Sequence, residues 1–149
     1  MKKFIKNAFY ILLPIILGSL VGFLISDYMD YKNLIKPPFA PPKILFPIAW
    51  SIIYILMGIA YFFYRKKTDD KNIIYYTQLI INLLWSIIFF VFKLRFIAIL
   101  WIILLDILII LTMRVFKKYD SKVSIYLFIP YLLWCLFATY LTIGIYILN

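Results

Sequence analysis

The chain has no histidine, no glutamate and one cysteine among its 149 residues. Each absence removes a class of chemistry. Without histidine, and with a lone thiol at Cys135, neither a zinc site nor a histidine-ligated haem site has enough ligands, so no metal centre and no resident cofactor is expected. One thiol cannot close an intrachain disulfide and says nothing about redox compartment. No nucleophile–base pair can be drawn, because there is no histidine, no G-x-S-x-G, no phosphate-binding loop and no pair of carboxylates within one apolar run. Classical hydrolysis and phosphoryl transfer are therefore excluded. An internal repeat is also lacking. Five apolar runs cannot divide into equal inverted halves, which argues against a repeat-built secondary transporter.

What is present is apolar. Hydrophobic residues make up 66% of the chain and aromatics 21%, with a mean hydropathy of +1.02. A soluble domain of this length leaves too much of itself exposed to hide that composition, so lipid is the solvent. Five runs are long enough to cross the hydrocarbon core as helices: Ala8 to Ile25, Ile44 to Tyr64, Ile73 to Phe92, Phe96 to Val115 and Val123 to Leu148. The abundant isoleucine would favour strands in water. In lipid a helix satisfies its own backbone and an open strand does not, and the continuous runs do not fit a barrel. The expected fold is all-α, a polytopic membrane protein forming one five-transmembrane-helix bundle over residues 1–149. The basic segment Lys2, Lys3 and Lys6 resembles a signal-peptide n-region. The run behind it is too long for an h-region and ends without an A-x-A site, so it reads as an uncleaved first span.

The net charge is +10, and its cations fall in the gaps between apolar runs rather than in a stripe suited to nucleic acid. Anionic lipid headgroups are the expected partners. Eleven basic residues lie on the side of the N-terminal segment and the second and fourth loops, against five on the other side. The positive-inside rule puts the N-terminus in the cytoplasm and the C-terminus outside. The first loop, Ser26 to Lys43, carries Pro37-Pro38 and Pro41-Pro42 around Phe39. Paired prolines favour extended backbone, and a stiff loop over a small bundle reads as a lid or rim.

Two tryptophans, Trp50 and Trp134, fall in the middle of apolar runs, whereas tryptophan ordinarily sits at the headgroup level. A deep indole needs a partner for its N–H and a shaped space for its ring. Trp50, Tyr54, Met57, Gly58 and Tyr61 share one face of the second helix, as either an aromatic packing face or a binding wall. Gln78, Asn82, Trp85 and Phe89 share a face of the third, where the amides must point inward as interhelical bonds or ligand contacts. Asp106 is the one acid well inside a span. It must be paired, hydrogen-bonded or protonated, with Asn82, tyrosine hydroxyls and an indole N–H as candidate partners. Tyr131, Trp134, Ala138 and Thr142 line a face of the fifth helix, with Pro130 a site for a kink and Ala138 leaving space beside Trp134. Gly18 and Gly22 form a G-x-x-x-G that permits close helix contact.

The stretch Lys36-Pro-Pro-Phe-Ala-Pro-Pro, then Pro47-Ile-Ala-Trp50 and Tyr54-Ile-Leu-Met57-Gly58-Ile-Ala60-Tyr61, resembles the TspO/MBR family, the translocator (peripheral benzodiazepine receptor) proteins. Gln78 to Ser86 looks like that family's third helix, and Pro130 to Leu141 like its fifth. Order and spacing hold over nearly the whole chain. The resemblance implies a bacterial member in the cell (inner) membrane, commonly a homodimer. It also implies a pocket open toward the first loop that binds porphyrins such as protoporphyrin IX and benzodiazepine- or isoquinoline-type ligands. By position, Trp50 and Trp134 match the family's pocket tryptophans, and Asn82, Trp85 and Ala138 match pocket-lining positions. Asp106 matches an acid of the fourth helix in bacterial members.

The function expected is a membrane receptor or sensor for tetrapyrroles. The macrocycle would lie between Trp50 and Trp134, with Tyr54 on the same wall, Asn82 and Asp106 as polar contacts, and Lys32, Lys36 and Lys43 at the rim. Two alternatives stay open. One is light- and oxygen-dependent porphyrin degradation with Trp50 and Trp134 as the catalytic residues; the other is transport of porphyrins or small metabolites. A cholesterol role is not expected, because Thr142 stands where vertebrate members have Asn and Tyr146 lacks a following basic residue.

Overall fold

The computed structural model describes all residues, Met1–Asn149, and is 81% helical with no strand. Five helices are long and apolar enough to cross a membrane. They are α1 (Lys2–Ile25), α2 (Leu45–Arg65), α3 (Ile73–Ser86, continued by a π-helical segment Ile87–Val91), α4 (Arg95–Lys118) and α5 (Lys122–Leu148). The anticipated spans are all present. Their ends differ where charged residues join the helix: α1 starts at Lys2 and α4 runs on through Lys118, because the flanking lysines are good helix formers that reach into headgroups and water.

The helices pack side by side in the order α1, α2, α5, α4, α3, and α1 touches α3 only lightly. The tight α1–α2 contact depends on Gly58, where a Cβ would come within 2.2 Å of the Ile11 carbonyl oxygen. Of the G-x-x-x-G pair, Gly18 abuts the Tyr54 ring, whereas a Cβ on Gly22 would meet nothing within 4 Å. The close α1–α2 approach thus uses Gly58 against backbone and Gly18 against the Tyr54 ring, and not Gly22. α5 continues unbroken through Pro130. The side chain of Asn72 caps α3 by accepting from the Tyr75 amide at 3.2 Å.

Sequence pattern gave no sign of the π-helical segment. Its wider turn buries two consecutive side chains, Phe89 and Phe90, on the bundle side, and such segments recur at functional sites. Nor is the first loop a straight polyproline rod. It has short 3₁₀ turns at Ser26–Tyr28 and Tyr31–Asn33, and it bends at Phe39, whose φ is +63°. The loop lies across the end of α5. Pro37 packs on Gly144, the Tyr140 hydroxyl donates to the Pro38 carbonyl at 2.8 Å, and Asn149 exchanges two hydrogen bonds with the backbone of Ile35. Its other end is tied to the α3–α4 turn, where Asp30 sits 3.4 Å from both Lys93 and Arg95.

Candidate ligand-binding site

A cavity of about 650 Å³ lies between α1, α2 and α3 under the first loop. Its size falls within the usual range for small-molecule sites. The α2 wall is aromatic: Phe46, Trp50 and Tyr54 follow one another at four-residue spacing, one above the next along one face. The α3 wall gives Asn82, Trp85 and Ser86, and the π-helical segment adds Phe90. The α1 wall combines the small residues Gly18, Ser19 and Gly22 with the aliphatic Ile15, Val21 and Ile25. Lys32 and Lys43 stand at the loop end, with the Lys43 Nζ donating to the Met29 carbonyl at 3.0 Å.

Trp50 is the hub of the indole group. Its ring centroid is 5.8 Å from Tyr54 in a stacked arrangement, 6.5 Å from Trp85 and 6.3 Å from Trp134. Trp85 stacks in turn on Phe89 at 5.3 Å, and the Arg95 guanidinium lies 4.2 Å from the centre of the Phe89 ring. These contacts fix the rings in place. The Trp85 Nε1, like that of Trp134, is buried with no protein partner, which leaves each indole donor unsatisfied within the protein.

Beneath the cavity a polar relay crosses the bundle. The Tyr54 hydroxyl donates to Asn82 Oδ1 (2.7 Å), Asn82 Nδ2 donates to the Tyr131 hydroxyl (2.8 Å), and that hydroxyl donates to Gln78 Oε1 (2.6 Å). Gln78 Nε2 reaches the Met57 sulfur at 3.5 Å. Both amides are buried, 3% and 0% exposed, and both are bonded to neighbouring helices. Asn82 therefore joins three helices and also lines the cavity. The loop over the site is fixed by Tyr31, which donates to the Pro41 carbonyl at 2.7 Å; burial pushes its phenol above the ordinary value.

Of the residues singled out in the sequence, the cavity wall brings together Trp50, Tyr54, Asn82 and Trp85. Trp134 stands behind Trp50, edge to face at an interplanar angle of 88°, and the two rings touch without a gap between them. Ala138 faces Phe89 and Leu141 in a separate small hollow. Asp106 lies between α4 and α5, its Oδ2 2.7 Å from the Thr139 hydroxyl, while its Oδ1 is buried without a partner. Thr139 was not among the partners anticipated for Asp106. Lys36 is occupied below the rim, donating to the Leu34 carbonyl at 2.9 Å and lying over the Tyr31 ring. Wall residues that pattern reading passed over are Phe46 and Ser86, while Gly22, read as a helix-contact position, lines the cavity instead. Phe46 and Ser86 each lie four positions from a residue that was named, so extending the helical face by one turn would have reached them.

With this geometry in view, a family model described as the TspO/MBR family matches residues 10–148. The chain belongs to the TspO/MBR family. It is 41% identical over 123 residues to the "Tryptophan-rich protein TspO" of Archaeoglobus fulgidus, covering 80% of this chain and 79% of that one. It is 33% identical over 120 residues to the "Tryptophan-rich sensory protein" of Cereibacter sphaeroides, covering 79% and 75%. To the "Translocator protein homolog" of Schizosaccharomyces pombe it is 29% identical over 146 residues, covering 93% and 88%. As a TspO/MBR protein with five apolar helices, it is an integral membrane protein.

Proposed function

We propose that this TspO/MBR protein is a tetrapyrrole receptor or sensor of the bacterial inner membrane, and that its ligand occupies the cavity between α1, α2 and α3. The observation that carries this reading is the composition of the cavity wall: a fixed aromatic surface of Trp50, Tyr54 and Trp85 on two sides, an α1 wall of glycine, serine and aliphatic residues opposite, and two lysines at the loop end. A ligand suited to it is flat, largely apolar and anionic at one edge, which describes a porphyrin with its propionates. The macrocycle would lie on Trp50 with the Trp85 N–H and Asn82 as polar contacts, and Trp134 would act from behind by holding Trp50 in place. Asp106, bonded to Thr139, and Ala138, in the neighbouring small hollow, would act on the ligand only through the packing of α5. Benzodiazepine- and isoquinoline-type compounds, also flat and apolar, would compete for the same wall. A homodimer would leave this cavity inside each protomer.

Titration of the reconstituted protein with protoporphyrin IX, read by tryptophan fluorescence, tests the reading. Saturable quenching is expected, with affinity lowered about tenfold, or about 1.4 kcal/mol, in Trp50→Phe and more in Trp50→Phe with Trp85→Phe. Wild-type affinity in the double variant would place the ligand elsewhere.

Photo-oxidative degradation of the porphyrin is a second reading, favoured by the contact of Trp50 with two further oxidisable indoles. Illumination under oxygen should then give new absorbing products that require Trp50 or Trp134. Bleaching identical to that of free porphyrin would remove the enzyme reading and leave the receptor.

A further inference from the structure

Below the cavity, the core is built of tyrosines rather than phenylalanines. From Trp50 the rings continue to Tyr54, and through Asn82 to Tyr131. Phe128 fills the next step, 5.3 Å from Tyr131 and 6.3 Å from Tyr75. Tyr75 stacks on Tyr61 at 4.2 Å with an interplanar angle of 18°, and Tyr61 lies 5.9 Å from Tyr64. Trp50 and Tyr64 begin and end this column on the same helix, roughly 21 Å apart at 1.5 Å per residue. Packing alone asks for hydrophobic bulk, and a buried hydroxyl adds a group that must be bonded. Indole and phenol are also the side-chain rings that surrender an electron most readily.

The hydroxyl partners distinguish the stations. Tyr54 and Tyr131 donate to amide oxygens and Tyr61 to the Lys71 backbone carbonyl at 2.7 Å. None of these is a base, so a proton lost from these phenols has nowhere to stay. Tyr64 donates instead to Asp70 Oδ2 at 2.5 Å. Asp70 is exposed in the second loop, and this hydrogen bond holds its carboxyl below the ordinary range, so it is ionised at neutral pH.

We propose that the Trp–Tyr column is a one-electron path that drains oxidising equivalents from the cavity to Tyr64 and Asp70 at the opposite end of the bundle. An excited aromatic chromophore in the cavity accepts one electron from Trp50. The vacancy passes on by tunnelling through Tyr54, Tyr131, Tyr75 and Tyr61, each keeping its phenolic proton, and comes to rest at Tyr64, whose phenolic proton passes to Asp70. The net change is one electron gained by the chromophore, a neutral phenoxyl radical at Tyr64 and a protonated Asp70, which re-equilibrates with water. A water-soluble thiol then returns a hydrogen atom to the radical. The identity of the oxidant rests on the cavity reading above; the path does not, and its test uses no ligand.

The protein in lipid nanodiscs, with a soluble electron scavenger, is pulsed at the red edge of the indole absorption, where tyrosine does not absorb. Transient absorption then follows the indolyl and phenoxyl radicals. Wild type should show indolyl decay matched by phenoxyl rise. Tyr64→Phe should cut the phenoxyl yield severalfold and lengthen the indolyl lifetime. Asp70→Asn, which keeps the Tyr64 ring and removes the base, should do the same and serves if Tyr64→Phe does not fold. Tyr126→Phe, on the exposed face of α5, should change nothing. Absence of a phenoxyl signal in wild type, or an unchanged yield in Asp70→Asn, would overturn the proposal whether or not a porphyrin binds.

Discussion

Glycine at three positions does three different things, and the surroundings decide which. Gly58 lets α1 come down onto α2, with no space for a Cβ against the Ile11 backbone; Gly18 leaves room for the Tyr54 ring; Gly22 faces open cavity. Backbone cannot give way as a flexible side chain can, so Gly58→Ala should destabilise the bundle by about 1–3 kcal/mol, the usual cost of overpacking. Gly22→Ala should be neutral or stabilising by up to about 1 kcal/mol, because alanine is the better helix former and nothing obstructs it. Gly22→Leu should also fold, yet fill the α1 side of the cavity and weaken protoporphyrin IX binding about tenfold, or about 1.4 kcal/mol. Thermal unfolding in detergent and the fluorescence titration separate these effects. Equal unfolding temperatures for Gly58→Ala and Gly22→Ala would show that the α1–α2 contact is not set by Gly58.

Among the elements, the first loop was the hardest to anticipate. Its prolines announced stiffness, but they could not announce where it would lie. That depends on contacts far apart in sequence: Asp30 with the α3–α4 turn, Pro37 on Gly144, and the pair of hydrogen bonds between Asn149 and Ile35. The spans were legible because a continuous apolar run in lipid has few alternatives. The faces of α2 and α3 were legible because helical spacing collects Trp50 with Tyr54 and Asn82 with Trp85. Trp134 shows where this stops: its depth could be read, but its place behind Trp50 depends on how α5 docks against α2. The π-helical segment has no sequence period of its own.

The Asn149 contact gives a test at the same scale. An exposed ion pair such as Asp30 with Lys93 contributes little, about 0–1 kcal/mol, so the two backbone bonds from Asn149 should be the stronger hold on this part of the loop. Asn149→Ala should speed hydrogen exchange at the Ile35 amide and raise the ligand's association and dissociation rates together, with little change in unfolding temperature. Unchanged exchange at Ile35 would mean that the Tyr140 and Pro37 contacts hold the loop without it.

At the scale of the whole molecule, charge asymmetry makes the last prediction. The N-terminal segment and the second and fourth loops carry eleven cations, and the side with the proline loop carries five. The loops are short and these residues lie close to the span ends, the setting in which lysine and arginine govern insertion. On the five-cation side, Lys93 and Arg95 are also engaged with Asp30, and Lys36 and Lys43 with backbone carbonyls. On the other side Arg65 is held by the Asp69 and Asp70 carbonyls, while Lys66 and Lys67 are exposed toward the headgroups. Orientation follows the count of cations rather than the net charge, so the Asp30 pairing does not alter the outcome. The cavity under the proline loop should open to the outer side, and the Tyr64–Asp70 end should face the cytoplasm. Alkaline phosphatase fused after Asn149 should be active and a fluorescent protein at the same point dark, with the pattern reversed for fusions after Lys67. An active phosphatase at Lys67 would turn the bundle over, so that ligand entered from the cytoplasm and the tyrosine column discharged outward.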